Sequence, residues 1–265
     1  VTALQKVLAA ARSENRAALV GYLPVGYPDV PLSIAAMKAM VESGVDVVEV
    51  GVPYSDPVMD GPTIQAAVDP AVRAGVSMRD ALTAVQALAD AGGAAVVMSY
   101  WNPIERYGVD AFAADLAAAG GSGAITPDLI PDEAAPWLAA TDQHSLDRVF
   151  LVAPSSTPAR IASTTAQCRG FVYAASTMGV TGVRTAVSDA AERLVARVRA
   201  ADAEIAVCVG LGVSDGDQAA EVAAFADGVI VGSAFVRRLL ESPDRAGVTA
   251  VGQLAAELAD GVRRR

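Results

Sequence analysis

One histidine, two cysteines and no long apolar run: these shortages narrow the chemistry open to the chain before any motif is read. His144 lies in the polar stretch TDQHSLD, between a helical and a strand-like segment, and reads as a surface residue. A lone imidazole there argues against His-based catalysis and against metal sites built from several histidines, so no metal is expected. Cys168 and Cys208 have neither a CxxC nor a metal-type spacing. Cys208 sits in the apolar run IAVCVG, where a thiol behaves as a small core residue. This usage fits a reducing cytosol, and a cytoplasmic location is expected. No window approaches the ~18 unbroken apolar residues that suggest a membrane span. The opening residues, VTALQKVLAAARSENR, lack the basic start, apolar core and cleavage site of a signal peptide and read as an amphipathic helix. Basic charge is scarce as well. Lys and Arg number 20 against 30 Asp and Glu, a net charge of −10, which disfavours sequence-independent binding to nucleic acid. A phosphate ligand stays open, because backbone N–H groups at a helix start hold an anion without side-chain charge. The run Arg263, Arg264, Arg265 reads as a solvated, frayed tail.

What is present is apolar alternation. Hydrophobic residues make up 53% of the 265 and charged ones 19%, ample for a sizeable core. Eight short apolar runs follow one another: AALVGYLP from Ala17, DVVEVGVP from Asp46, AAVVMSY from Ala94, GAITPD from Gly123, DRVFLVAP from Asp147, GFVYAAS from Gly170, EIAVCVG from Glu204 and DGVIVGS from Asp227. Ala-rich helical stretches separate them. Eight β-then-α units are the mark of a TIM (β/α)8 barrel, here with an extra N-terminal helix and with residues 1–265 as one domain. A doubly wound open sheet is the alternative, but no GxGxxG follows the first run and eight units overfill that plan.

The chain is organised around DVVEVGVPYSDPVMDGPTIQ, residues 46–65. Val47, Val48, Val50 and Val52 form a strand of the kind buried on both faces. Glu49 interrupts it, sharing a face with Val47 and Gly51 by period-2 alternation. A carboxylate there costs several kcal/mol unless it is paired or protonated. It is therefore either half of a buried ion pair or a residue with a chemical role. After Pro53 a loop carries Ser55, Asp56 and Asp60, and Pro62 suits the first turn of the next helix. Asp56 and Asp60 also have a plain reading as turn formers. In such a barrel the active site lies at the C-terminal strand ends. Those ends carry Tyr22, Met98, Tyr100, Ile125, Tyr173 and Leu211. Gly-rich turns follow the last three runs: GVTG at 179–182, GLG at 210–212 and GS at 232–233. Each alone is an ordinary tight turn. Three at adjacent strand ends suggest a phosphate site, with a short helix opening at Ser233. Two connections, the one carrying Asp60 and STMGVTGVRTAVS at 176–188, are long enough to be lids.

The segment EVGVPYSDPVMDGPTIQ, residues 49–65, resembles the tryptophan synthase α-subunit family, which is marked by a strand ending in ExGxP followed by [YF]SDPxxDGPxIQ. The likeness spans nearly the whole chain. It implies a reversible retro-aldol cleavage of indole-3-glycerol phosphate to indole and glyceraldehyde 3-phosphate. It carries Glu49 and Asp60 over as the catalytic pair. It implies substrate contacts at Tyr22, Met98, Tyr100, Ile125, Tyr173, Thr181 and Leu211, and phosphate contacts at Gly182, Gly212, Gly232 and Ser233. Thr181 is further expected to hydrogen-bond Asp60 when the lid closes. No cofactor is implied in this chain; pyridoxal phosphate belongs to a partner β-subunit, in an α2β2 assembly. The sequence departs from the family at Met59, where Ala is common, at Tyr22 and Leu211, where Phe is common, and in the lid, where an Arg often precedes GVTG. Two other classes fit a phosphate-binding barrel: a sugar-phosphate isomerase or epimerase, and a non-catalytic regulator of a partner. The lone His144 weighs against a metal-dependent isomerase, and the presence of both acids against a regulator.

Overall fold

The computed structural model describes residues 1–175 and 184–264. All eight apolar runs are strands: β1 Ala18–Pro24, β2 Val47–Gly51, β3 Ala94–Met98, β4 Gly123–Ile125, β5 Asp147–Val149 with β6 Leu151–Val152, β7 Phe171–Ala175, β8 Ala206–Gly210 and β9 Gly228–Val231. Every pairing is parallel, in the order β5-β4-β3-β2-β1-β9-β8-β7-β6. The two ends of that order are consecutive in the chain, with only Phe150 between them. The Phe150 carbonyl accepts from the Tyr173 N–H at 3.1 Å, and that of Arg148 from the Arg169 N–H at 2.9 Å. The sheet therefore closes on itself, and the open-sheet alternative falls away.

Strand parity sorts the core into two layers. Val47, Val96, Ile125, Val149, Cys208 and Ile230 belong to the cluster inside the barrel. Val48, Val50, Val97, Val172, Val207 and Val229 face outward into a larger cluster shared with the helices. Those helices are α1 Ala3–Ser13, α2 Val30–Glu42, α3 Pro62–Arg73, α4 Met78–Asp90, α5 Trp101–Tyr107, α6 Val109–Ala118, α7 Ala135–Gln143, α8 Pro158–Gln167, α9 Arg184–Ala201, α10 Gly216–Ala223, α11 Ser233–Glu241 and α12 Arg245–Val262. None among the described residues is long and apolar enough to cross a membrane.

Two boundaries differ from the sequence reading. The third strand stops at Met98, and WNPIERY at 101–107 is helix α5 rather than the end of a strand. Pro103 falls in its first turn, where a missing N–H breaks no intrahelical bond, and Gly108, at φ 99°, ends it. The long connection expected at 176–188 ends earlier, since α9 begins at Arg184.

Helix α1 stoppers the N-terminal end of the barrel. Leu4 is fully buried with the inward-facing strand residues, a burial that contributes about 1.5–3 kcal/mol. Its N–H donates to Ser122 Oγ at 3.1 Å. Thr2 accepts from the Gln5 N–H at 3.1 Å as the helix cap and donates its hydroxyl to Asp147 Oδ2. Gln5 Nε2 donates to the other oxygen, Oδ1, at 2.6 Å.

Candidate active site

Strand β2 places Glu49 inside the barrel, in register with Tyr22 on β1 and Val96 on β3. The residue is 2% exposed, and Oε2 has no hydrogen-bond partner among the described residues. Among the described residues no ion pair holds it as a structural group. Burial alone pushes its pKa up to about 8, so at neutral pH the side chain holds a proton. An acid of that strength both gives and takes protons near neutrality.

Asp60 stands at the end of loop 52–61, just before Gly61 and Pro62 open α3. Gln65 Nε2 donates back to the Asp60 carbonyl oxygen at 2.7 Å, fixing the loop to the first turn of that helix. The carboxylate Oδ1 accepts from the Tyr100 hydroxyl at 2.9 Å. Partial burial raises its pKa, and the phenol's hydrogen bond opposes that rise. Asp56, by contrast, is exposed and accepts from its neighbour Ser55, as its plain reading as a turn former requires.

Both acids line one cavity of about 450 Å3 at the C-terminal ends of the strands. Tyr22, Met98, Ile125 and Tyr173 supply apolar wall, while Gly212, Gly232 and Ser233 line it too. Two glycines make room for the rings. A Cβ at Gly51 would lie 2.5 Å from the Tyr22 hydroxyl, and one at Gly210 would lie 2.8 Å from that of Tyr173. Gly212, at φ 67°, turns in a way that side chains disfavour. At the start of α11, Phe235 and Val236 donate to the Gly232 carbonyl at 3.0 and 3.1 Å. The N–H groups before them have no acceptor within the helix, which makes this helix start a place for an anion.

Two expected ring contacts do not line the cavity. Leu211, just past the end of β8, is buried in the larger cluster and does not line the cavity, although Gly210 and Gly212 on either side of it do. Tyr100 is 2% exposed and sits behind Asp60, touching the acid rather than the cavity. Thr181 and Gly182 lie outside the described residues, as does most of the expected lid. Conversely, Leu151, Ile230, Pro127 and Ile64 line the cavity without having been singled out. Parity could have found the first two. Leu151 pairs with Tyr173 across the sheet, and Ile230 precedes Gly232 by one period.

Fold and site together define an acid-pair (β/α)8 barrel, with both carboxylates at the mouth where strands give way to loops. A family profile described as Tryptophan synthase alpha chain matches residues 8–262. Among relatives, the tryptophan synthase alpha chain of Mycobacterium marinum is 66% identical over 254 residues, 96% of this chain and 92% of its own. That of Thermobifida fusca is 62% identical over 266 residues, covering 99% and 98%. A solved structure of Mycobacterium tuberculosis tryptophan synthase superposes with a TM-score of 0.92 at 63% identity, covering 99% of both chains. The chain belongs to the tryptophan synthase alpha chain family. It is a carbon–carbon lyase, and its reaction is the aldol-type cleavage of indole-3-glycerol phosphate, carried out without a cofactor of its own.

Proposed function

We propose that Glu49 and Asp60 divide the chemistry of this cleavage between them. The observation that carries the assignment is a buried carboxyl, with Oε2 unpartnered among the described residues, facing the same cavity as a second, hydrogen-bonded one. Protonated Glu49 delivers its proton to C3 of the indole ring, giving an indolenine cation. The resulting carboxylate then takes the proton from the glycerol hydroxyl next to the scissile bond. The electrons of that C–C bond return to the ring, releasing indole and glyceraldehyde 3-phosphate, and Glu49 is protonated again. Asp60, ionised, accepts the ring N–H and stabilises the positive charge that develops on nitrogen. Tyr22, Met98, Ile125 and Tyr173 hold the flat ring in an apolar slot. Gly212, Gly232 and Ser233 hold the phosphate through backbone N–H groups and one hydroxyl, with Gly182 and Thr181 contributing from the lid.

The chain works as one domain, in the cytoplasm, with a pyridoxal-phosphate β-subunit that consumes the indole, in an α2β2 assembly. A solved relative that matches end to end is a tryptophan synthase, which supports this reading. Incubating the purified chain with indole-3-glycerol phosphate, with and without a β-subunit, tests it. Free indole and glyceraldehyde 3-phosphate should form in equal amounts, and faster with the partner. No product under either condition overturns the assignment.

A further inference from the structure

We infer that Tyr100 is a positioning residue for the catalytic loop: its one hydroxyl clamps the backbone at residue 59 and the carboxylate at residue 60 together. The inference rests on the role proposed above for Asp60. Among the described residues, little besides the Gln65 bond to the Asp60 carbonyl holds the tip of that loop. Val58 and Met59 are 78% and 47% exposed, and an added Cβ at Gly61 would meet nothing within 4 Å. Into this weakly packed segment the phenol makes two hydrogen bonds. It accepts from the Met59 N–H at 2.9 Å and donates to Asp60 Oδ1 at 2.9 Å. The phenol bonds Oδ1 alone, so it does not compete with a ring N–H for Oδ2.

The phenol is itself held. Tyr100 is fully packed at the turn before α5, and its ring lies 5.4 Å from that of Tyr54, tilted by 35°. Asn102 Nδ2 donates to the Tyr54 hydroxyl at 3.0 Å, so the β3–α5 turn grips the β2–α3 loop through both rings. Burial pushes the Tyr100 pKa up to about 12, so the hydroxyl remains a donor throughout the working range. Among the described residues, the other titratable groups that share the cavity with Asp60 are Tyr22 of β1, Glu49 of β2 and Tyr173 of β7.

Tyr100→Phe keeps the ring and its packing but removes the clamp. Turnover should fall on the order of tenfold, with a much smaller change in KM, because what is lost matters most once charge develops. The acidic limb of the kcat profile should move to higher pH, since the donor that favours ionised Asp60 is gone. In an Asp60→Asn background the same substitution should have almost no further effect. A purely structural tyrosine would instead lower the melting temperature, leave the pH profile in place and add its effect to that of Asp60→Asn. Either an unmoved pH limb or an additive double variant overturns the inference. If Asp60→Asn is slow while Tyr100→Phe matches the parent at every pH, only the positioning role falls. If Asp60→Asn itself turns over like the parent, the assignment of Asp60 falls and takes this one with it.

Discussion

Glu49 and Asp147 are both carboxylates on inward-facing strand positions of one barrel, exposed by only 2% and 1%. Their surroundings differ completely. Asp147, at the N-terminal end, has each oxygen occupied, one by Thr2 and one by Gln5, under the stopper that α1 forms. Glu49, toward the other end, faces a cavity and has an oxygen with no partner among the described residues. Burial raises the pKa of both, but at Asp147 the two neutral donors and the nearby Arg169 push back. What separates a structural acid from a chemical one is therefore not burial. It is whether the surrounding chain has already used its hydrogen-bonding capacity.

The comparison breaks first, and most widely, at Glu49. Glu49→Gln keeps shape and hydrogen bonding but cannot exchange a proton. Single-turnover indole formation should drop by at least ~10²–10⁴-fold, the usual worth of general acid–base catalysis, with substrate affinity retained. Glu49→Asp should recover little, because a rigid strand cannot bring the shorter acid nearer the ring. Stability should move the other way, and with pH. A folded-state pKa of about 8, against an ordinary 4.5, means that the folded chain holds a proton the unfolded one releases across that window. The parent thus loses stability from this group as pH rises from one value toward the other, a contribution the Gln variant lacks. The difference in melting temperature should widen in favour of Glu49→Gln between pH 5 and pH 8 (roughly the limits of the window); a constant difference would mean that Glu49 is already ionised in the fold.

Asp60 comes next, a carboxylate that is half satisfied. Asp60→Asn keeps an acceptor and loses the charge, so kcat should fall about 10²-fold, and Asp60→Glu on the same loop should restore part of it. Asp147→Ala should invert the pattern: kcat unchanged, and stability lower by about 1–3 kcal/mol in denaturant titration, since two hydrogen bonds from half-buried donors are lost. The smallest effect is expected at Thr2. Thr2→Ala removes the helix cap and one of those donors, for about 0.5–2 kcal/mol. An Asp147→Ala variant as inactive as Glu49→Gln would erase the distinction between the two ends of the barrel.

Much of this could be read in advance, for a physical reason. β-branched runs such as VVEV and VIV signal buried parallel strands wherever they occur, and Glu49 announces itself because it breaks one. Parity then assigns faces along the strands, but Leu211 lies past the end of β8, before Gly212 at φ 67°, where parity no longer applies. Helix α5 was hidden because Tyr100, Trp101 and Asn102 prolong an apolar strand, and only Pro103 and Gly108 hint otherwise. The reach of Tyr100 to Asp60, across 40 residues of sequence, leaves no local trace at all. Contacts between loops depend on how neighbouring strands end relative to one another, which only the closed barrel fixes.

The stopper helix has a consequence for how the chain is made. Translation completes α1 well before the groups that receive it: Ser122 lies 118 residues beyond Leu4, and Asp147 lies 145 beyond Thr2. At ~5–20 residues per second of synthesis, that interval is on the order of ten seconds. An isolated helix of 11 residues is marginal in water, so through that interval α1 stays largely uncoiled on the nascent chain. Its docking becomes a late step of assembly, because its seat is built from both halves of the barrel, including Phe171 and Ile230 around Leu4 and the Glu204 carbonyl that accepts from Arg12.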